Sequence, residues 1–453
     1  MGSDWKECLL GDVLELKRGY DLPKKQRIEG KHPIISSSGT SDYHSEFKIT
    51  GPGVVTGRYG TIGQVFYSEC DFWPLNTTLY VKDFKGHDPK FIYYFLKMLP
   101  YQQYSDKAAV PGVNRNHLHL AKVRIPSDIQ EEILIGSYLE NLDNKIQLNR
   151  QTNQTLEAMA QALFKSWFVD FDPVFDNIIA HNLAHNNAPL HNIPEPLLPH
   201  AQRRLNVHNV GRGSARQTAA HAFHHLFPQA FEQSDEPSVG IQGWVPKGWG
   251  VEKIGDVIEN VGGGTPKTKE DDYWINGTHA FCTPKDMSSL STKVLLKTER
   301  HLTDLGVSKV SSGVLDVGTV LMSSRAPIGY LAIAKTPTTV NQGIIAMKPN
   351  GKYSSEYILC WAEINQEEVV ARANGSTFLE ISKKNFREIP FVEPTDECTK
   401  QFGILAKEYF DRIEILSKEN KQLESLRDTL LPKLISGELR IPDAVQASEA
   451  LAK

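Results

Sequence analysis

The sequence lacks the features that mark membrane, secreted and zinc-binding proteins. It has no run of about 18 apolar residues, which a membrane-spanning helix needs, and its opening MGSDWKECLL has no basic region followed by an apolar one. Its five cysteines lie far apart with no C-x-x-C pair, so neither a zinc site nor a disulfide framework is indicated. We therefore expect a cytoplasmic protein with packed thiols and no membrane association.

Signatures of catalysis are missing as well. The chain contains no G-x-S-x-G, no H-E-x-x-H, no kinase HRD or DFG, no N-P-P-Y or D-P-P-Y and no clear nuclease carboxylate–lysine set. GGGTPKTK at 262–269 resembles a phosphate loop but lacks the Gly-Lys pair before a helix. We expect that the chain does no chemistry alone, with no metal and no cofactor of its own.

The charge is low and unevenly distributed. A formal net charge of −4 argues against a strongly basic nucleic-acid binder. Residues 1–127 carry 17 basic and 13 acidic side chains, whereas residues 128–175 carry 3 and 8. The pattern recurs with 17 and 16 in residues 244–392 and 9 and 12 in residues 393–453. Two slightly basic blocks thus alternate with two acidic segments.

An internal repeat explains this alternation. VVTGRYGTIGQVFY at 54–67 and VLMSSRAPIGYLAI at 320–333 have nearly the same shape, and Arg58 and Arg325 lie 267 residues apart. Near that spacing the chain also matches Trp5 with Trp249, Leu9 to Val13 with Ile254 to Val257, Asn76-Thr77 with Asn341-Gln342, and Ile125-Pro126 with Ile389-Pro390. The chain is one plan written twice.

Each copy begins with short β-rich runs broken by Gly, Pro, Ser and Asn. After GRYGTIG comes QVFY, a strand sequence, so no helix N-terminus is available there to bind a phosphate group. We predict a strand–turn–strand in which the glycines are structural.

Each copy ends in a heptad pattern. The first seam is Leu139, Leu142, Ile146, Asn149, Asn153, Leu156, Ala160, Leu163 and Trp167, and the second, 267 residues on, is Ala406, Tyr409, Ile413, Leu416, Asn420, Leu423, Arg427, Leu430 and Leu434. We predict that the two helices pair as an antiparallel coiled coil, with Asn153 and Asn420 fixing the register. The alternative is two independent amphipathic helices, each packed on its own domain. Arg427 and Pro432 predict that the second helix frays or bends near 427–432.

The predicted fold class is α+β, a pseudo-twofold repeat of two β-rich domains, each followed by a long helix. The predicted segments are a first domain at 1–127, a helix at 128–175, a linker or insertion at 176–243, a second domain at 244–392, a helix at 393–440 and a tail at 441–453. The central segment holds eight of the fifteen histidines. His181 and His185 could ligate a metal, but no nearby carboxylate or cysteine completes a set, so we predict a solvated linker.

This layout resembles the specificity subunit of type I restriction–modification enzymes. The resemblance covers most of the chain and rests on ordered, duplicated elements: the opening from Trp5 to Val13, G-R-x-G-x-x-G at 57–63, LFKSWFVDFDPV at 163–174, GWVPKGW at 243–249, SRAPIG with Asn341-Gln342-Gly343, and LPKLISGEL at 431–439. The histidine-rich insertion around 177–217 departs from the pattern.

The resemblance implies that each β-rich block is a target-recognition domain for one half of a split, asymmetric double-stranded DNA site. It implies that the helices set the spacing and dock methyltransferase subunits, which join motor–nuclease (restriction) subunits. S-adenosylmethionine, ATP and magnesium would then belong to those partner subunits.

Polar residues in the loops of the two blocks are the candidates for DNA contact, since Arg, Ser, Thr and Lys bind base edges and phosphates. They are Ser36, Ser37, Ser38, Thr40, Arg58, Tyr59 and Arg115 in the first block and Thr265, Lys267, Arg325, Ser376 and Thr377 in the second. Because both copies share Arg58 and Arg325, these two arginines are better candidates for phosphate anchors than for base readers.

Two other interpretations stay open at this point. One is an orphan or regulatory DNA-binding or scaffold module without a methylating partner. The other is a nucleotide- or metal-dependent hydrolase that uses the glycine loops or the histidine-rich insertion.

Overall fold

The computed structural model describes residues 5–104, 112–211, 222–325, 327–375 and 379–442. The chain divides into two compact units, Met1–Leu148 with Glu419–Lys453, and Asn149–Lys418. Each unit therefore contains one β-rich block and part of both long helices.

The first block (residues 1–127) begins and ends with paired strands that close it into one domain. Its strands are β1 Trp5–Leu9, β2 Glu15–Arg18, β3 His32–Ser36, β4 Gly39–His44, β5 Gly53–Gly57, β6 Val65–Ser68, β7 Trp73–Pro74, β8 Thr78–Asp83 and β9 Lys122–Pro126. Its helices are α1 Leu10–Val13, α2 Pro89–Lys97 and α3 Arg115–His119, followed by the long helix α4 Ile129–Phe168.

Central helices and strands join the two blocks. They are α5 Asp172–Ala184, α6 Leu198–Gly211, β10 Phe231–Gln233 and β11 Trp244–Pro246. Phe171, with a left-handed φ of 53°, separates α4 from α5.

The second block (residues 244–392) has the same sequence of elements. Its strands are β12 Gly250–Lys253, β13 Asn260–Gly262, β14 His279–Cys282, β15 Val294–Leu295, β16 Arg300–Leu302, β17 Val320–Ser323, β18 Leu331–Ala334, β19 Thr338–Val340, β20 Ile344–Met347 and β21 Pro390–Glu393. Its helices are α7 Ile254–Val257, α8 Pro284–Ser288, α9 Asp304–Val307, α10 Ser355–Ile364, α11 Gln366–Ala371 and α12 Lys383–Arg387, followed by the long helix α13 Asp396–Ser436.

The two blocks share one strand topology. The first has sheets ordered β2-β8-β5-β6 and β4-β3-β7, and the second has β13-β20-β17-β18-β15 and β16-β14-β19. In both, the first strand of the block pairs antiparallel with its last, β1 with β9 and β12 with β21. In both, one pair is parallel, β3 with β7 and β14 with β19. The predicted duplication is confirmed at the level of the fold.

Matching helices of the blocks also begin in the same way. The side chain of Asp88 accepts a hydrogen bond from the backbone N of Phe91 at the start of α2, and that of Ser354 accepts one from Tyr357 at the start of α10. Such caps satisfy backbone donors that a helix start leaves unpaired. Both helices then bury most of their residues against the large sheet of their own block.

The central segment is folded, so the prediction of a solvated linker at 176–243 is wrong. Phe175, Ile179, Leu197 and Ala201 are buried in the hydrophobic core of the second unit. The side chain of Arg204 donates to both carboxylate oxygens of the buried Asp176, with Nε 2.8 Å from Oδ1. The Asn, Pro and His content suggested a solvated segment, but a few apolar residues at helical spacing suffice to anchor it.

Within the first unit, the start of α4 lies antiparallel to the end of α13. Arg427 reaches Asp143, and the Asn420 side chain donates to the Ile146 carbonyl at 3.3 Å. Positions rise along one helix as they fall along the other. Leu139, Ile146, Asn420, Leu430 and Leu434 are buried, while Leu142 and Leu423 are half-buried.

The other halves of the helices pair in the same sense within the second unit. The Asn153 side chain donates to Ser417 Oγ at 3.3 Å, and the rings of Phe164 and Phe402 lie 5.5 Å apart. Asn153, Ala160, Trp167, Ala406, Ile413 and Leu416 are buried, while Leu156, Leu163 and Tyr409 are half-buried. The predicted antiparallel pairing is confirmed, and the independent-helix alternative is wrong.

The prediction that the second helix frays or ends near 427–432 is wrong. α13 continues through Pro432 to Ser436. Arg427 NH1 lies 2.6 Å from Asp143 Oδ1, and both side chains are only about a quarter exposed. An opposite charge on α4 therefore compensates the arginine at this seam position.

Among the described residues, no helix is both long and apolar enough to cross a membrane.

Candidate nucleic-acid interface

The two glycine-rich elements are hairpin loops in equivalent sheets. β5 pairs antiparallel with β6, and β17 with β18. Gly60 and Gly63 have φ of +76° and +81°, and Gly329 has +101°, a region that glycine enters without strain. The predicted strand–turn–strand is confirmed in both copies.

In the first block, two loops lie against each other. The Thr61 hydroxyl in the β5–β6 loop donates to the Ser37 carbonyl in the β3–β4 turn at 2.6 Å. A Cβ on Gly60 would lie 3.4 Å from Ser37 Oγ. We call residues 36–40 and 58–61 the first loop surface.

Arg58 and Tyr59 are fixed on this surface by their backbones. The N–H groups of both donate to the Thr77 carbonyl, at 3.0 and 3.2 Å. The guanidinium of Arg58 lies 4.4 Å from the centre of the Tyr59 ring. A Cβ on Gly112 would lie 2.2 Å from the Tyr59 ring, so glycine is required for this close approach.

The other first-block candidates differ in accessibility. Ser36 Oγ donates to the Gly39 carbonyl at 2.9 Å and lies 3.0 Å from Ser38 Oγ. Ser38 and Thr40 are exposed. Arg115 is exposed in α3, and no described contact joins it to the first loop surface.

In the second block, Thr265 is paired with a residue that the candidate set omitted. Its hydroxyl lies 2.5 Å from Gln342 Oε1 and donates to it. Both side chains are exposed. The sequence signal for Gln342 was the match of Asn341-Gln342 to Asn76-Thr77, which places it beside the glycine hairpin.

Arg325 lies next to the same pair. Its NH1 is 3.6 Å from Glu380 Oε2, and a Cβ on Gly343 would lie 3.2 Å from its Nε. The backbone of Ile381 donates to the Ser324 carbonyl at 3.0 Å, which brings the segment after Glu380 against the hairpin. We call Thr265, Arg325, Gln342 and Glu380 the second loop surface.

The remaining second-block candidates lie elsewhere or cannot be placed. Lys267 is exposed, and its carbonyl accepts from the Trp274 indole at 3.1 Å. The Arg300 guanidinium lies 3.4 Å from the centre of the Trp274 ring, a cation–π pair that the sequence did not signal. Ser376 and Thr377 lie outside the described residues.

Both loop surfaces offer hydroxyl, carboxamide and guanidinium groups. Such groups hydrogen-bond to base edges and phosphates without chemistry. Among the described residues, no three His, Cys, Asp or Glu side chains are grouped as a metal site, and His181 and His185 stand exposed with rings 4.2 Å apart. Burial raises the pKa of the Cys398 thiol to about 11, which keeps it protonated.

Known proteins with similar sequences and folds form one group. Residues 2–158 and 246–425 match the family described as "Type I restriction modification DNA specificity domain". The type I restriction enzyme HindI specificity subunit of Haemophilus influenzae is 27% identical over 482 residues, covering 96% of this chain and 100% of that protein.

A second relative is the MjaIX specificity subunit of Methanocaldococcus jannaschii, 36% identical over 203 residues. That match spans 44% of this chain and about half of the relative, 47%. The crystal structure of the type I restriction–modification system S subunit from M. genitalium has the same fold, with a TM-score of 0.54, 16% identity, and coverage of 95% of this chain and 96% of that one.

The two family matches together cover more than half of the chain, and each covers one copy of the repeat. The chain belongs to the family of type I restriction–modification DNA specificity proteins.

Proposed function

We propose that this chain is the DNA sequence-specificity subunit of a type I restriction–modification complex. Each block reads one half of a bipartite, asymmetric DNA site. The observation that carries the proposal is a pair of equivalent loop surfaces on one duplicated strand topology, with different side chains at matched positions. The common topology supplies the same placement on DNA twice, and the differing side chains supply two different half-sites.

The helices set the distance between half-sites and dock methyltransferase subunits. α4 and α13 have 40 and 41 residues, about 60 Å each at 1.5 Å per residue. Half-sites one turn of duplex apart are separated by about 34–36 Å, so helices of this length are sufficient as a spacer. Exposed apolar side chains on the helices suit protein docking: Ile133, Leu134, Leu148, Met159, Ile404 and Ile415.

In this proposal the chain itself is non-catalytic. Adenine methylation takes place in the methyltransferase subunits with S-adenosylmethionine, and DNA cleavage takes place in the motor–nuclease subunits with ATP and magnesium. The complex works in the cytoplasm, where it meets double-stranded DNA. A net charge of −4 fits a subunit whose partners neutralise much of the phosphate backbone.

The test is co-expression with the modification subunits, followed by sequencing of the methylome. We expect adenine methylation at a two-part motif with an unspecified spacer. Replacing residues 1–127 with those of another specificity subunit should change one half of the motif and leave the other half unaltered. Absence of any split-site methylation would refute the proposal and favour an orphan DNA-binding module.

A further inference from the structure

The two loop surfaces differ at one position that the repeat aligns. Asn76-Thr77 follows β7 and Asn341-Gln342 follows β19, and both dipeptides support the neighbouring glycine hairpin. The Thr77 carbonyl accepts from Arg58, and the Gly343 carbonyl accepts from Ser324 at 2.8 Å. The backbone role is therefore shared, while the side chains diverge.

The side chain at this position is turned inward in the first block and outward in the second. Thr77 is half-buried, and its hydroxyl oxygen is buried with no hydrogen-bond partner among the described residues. Gln342 is exposed. Only the second block thus presents a long polar side chain to solvent here.

The carboxamide of Gln342 is held in one orientation. Thr265 donates to its Oε1 at 2.5 Å, while its Nε2 has no partner among the described residues. A carboxamide oxygen has a second lone pair and the nitrogen has two N–H donors. One acceptor site and the donors remain available for a ligand, and the fixed orientation lowers the entropy cost of binding.

The neighbouring arginine is less free to act. The Arg325 guanidinium faces the Glu380 carboxylate at 3.6 Å, which offsets its charge. Neutral hydrogen-bonding groups therefore dominate this part of the second loop surface. Neutral groups that both donate and accept read bases better than they attract phosphates.

We propose that Gln342, held by Thr265, reads an adenine in the half-site of the second block. A glutamine side chain can accept from adenine N6 and donate to adenine N7 at the same time, and this pattern is unique to the A·T pair in the major groove. Gln342 is then a specificity-determining residue, and its counterpart Thr77 leaves the first block without this contact. The inference rests on the function proposed above.

The experiment compares the complete methyltransferase complex carrying wild-type chain, Gln342→Ala, Gln342→Glu or Gln233→Ala. Gln233 is an exposed glutamine on β10 and serves as the matched control. The readouts are the methylome and binding to duplexes in which each base pair of the second half-site is replaced in turn. Thermal unfolding of each variant checks that it is folded.

We expect Gln342→Ala to lose about 10- to 100-fold in affinity for the cognate duplex, and to lose discrimination at one adenine position of the second half-site only. Gln342→Glu can only accept, so its preference at that position should shift toward cytosine, whose N4 donates. The first half-site and Gln233→Ala should be unaffected.

Three results would overturn the inference: an unchanged motif in both Gln342 variants, a loss spread equally over all sequences, which indicates a phosphate contact, or the same loss for Gln233→Ala. A wild-type complex that methylates no split site refutes the proposed function instead. The two failures are therefore distinguishable.

Discussion

Arg427 occupies a seam position of α13 where the heptad pattern favours an apolar side chain. Its partner Asp143 on α4 also accepts a hydrogen bond from the Tyr94 hydroxyl at 2.8 Å. At a spacing of 267 residues, the second unit has the buried apolar pair Ala160 and Phe410 instead. Replacing Arg427 with alanine leaves a half-buried carboxylate without its cation.

The expected cost follows from the geometry. The Arg427 to Asp143 contact is 2.6 Å, and the side chains are 24% and 26% exposed, so the pair is neither a surface pair worth about 0–1 kcal/mol nor a fully buried one worth about 3–5 kcal/mol when broken. A hydrogen bond between charged groups contributes about 1.5–3 kcal/mol. We expect Arg427→Ala to destabilise the helix pair of the first unit by that amount.

Hydrogen exchange measured by mass spectrometry reports this change locally, so it does not require the chain to unfold in two states. Peptides from residues 139–148 and 423–434 should exchange about 10- to 150-fold faster in Arg427→Ala. Arg412→Ala, an exposed arginine on the same helix, is the control and should have little effect. Exchange within twofold of wild type in both peptides would refute the reasoning.

A double variant separates charge from packing. Asp143→Phe with Arg427→Ala transfers the apolar pair of the second unit into the first. A cavity of about 310 Å³ beside Asp143 offers room for the ring. Because apolar residues often replace buried ion pairs without loss, the double variant should recover much of the stability that Arg427→Ala loses, whereas Asp143→Phe alone should not.

Two further predictions concern single sites in the blocks. His119 Nε2 accepts a hydrogen bond from the Leu16 backbone at 2.9 Å, and burial, followed by nearby positive charges, lowers its pKa below the ordinary 6.5; its contribution to stability is complete above pH 6.5 and is lost as pH falls from there through the lowered pKa. Thermal unfolding at pH 7.5 and 5.5 should therefore show an acid sensitivity that His119→Gln reduces, and an equal sensitivity in the variant would contradict this assignment. A Cβ on Gly263 would lie 1.6 Å from the Val340 carbonyl oxygen, so Gly263→Ala should destabilise the second block by roughly 1–3 kcal/mol in urea unfolding. Gly264→Ala, whose Cβ would meet nothing closer than 3.7 Å, should cost under about 0.5 kcal/mol, and equal costs for the two glycines would contradict the steric argument.

The candidate site could be predicted in part, because the repeat marks which loops are equivalent. Ser37, Arg58, Tyr59, Thr265 and Arg325 fall on the two loop surfaces. Their side-chain environments do not follow from the repeat, since they depend on neighbours distant in the chain. The pairing of Arg325 with Glu380 and that of Thr265 with Gln342 are of this kind.

The repeat also conceals local differences in how the blocks are held together. α3 and α12 occupy the same place in their blocks, yet His119 accepts from the backbone of Leu16 while Arg387 donates from Nε to Asn260 Oδ1 at 2.8 Å. One contact titrates and the other does not. Only the contact geometry shows that these unlike residues do the same structural work.

The sequence by itself determined the duplicated plan, the α+β class and the antiparallel pairing of the helices. Periodicity and spacing are properties of the chain, and two matched apolar stripes need a surface on which to be buried. The tertiary structure decided the fold of the central segment, the continuity of α13 through Pro432 and the pairing of Arg427. Each of these depends on which distant residue supplies an apolar surface or an opposite charge, and that is settled only when the chain is packed.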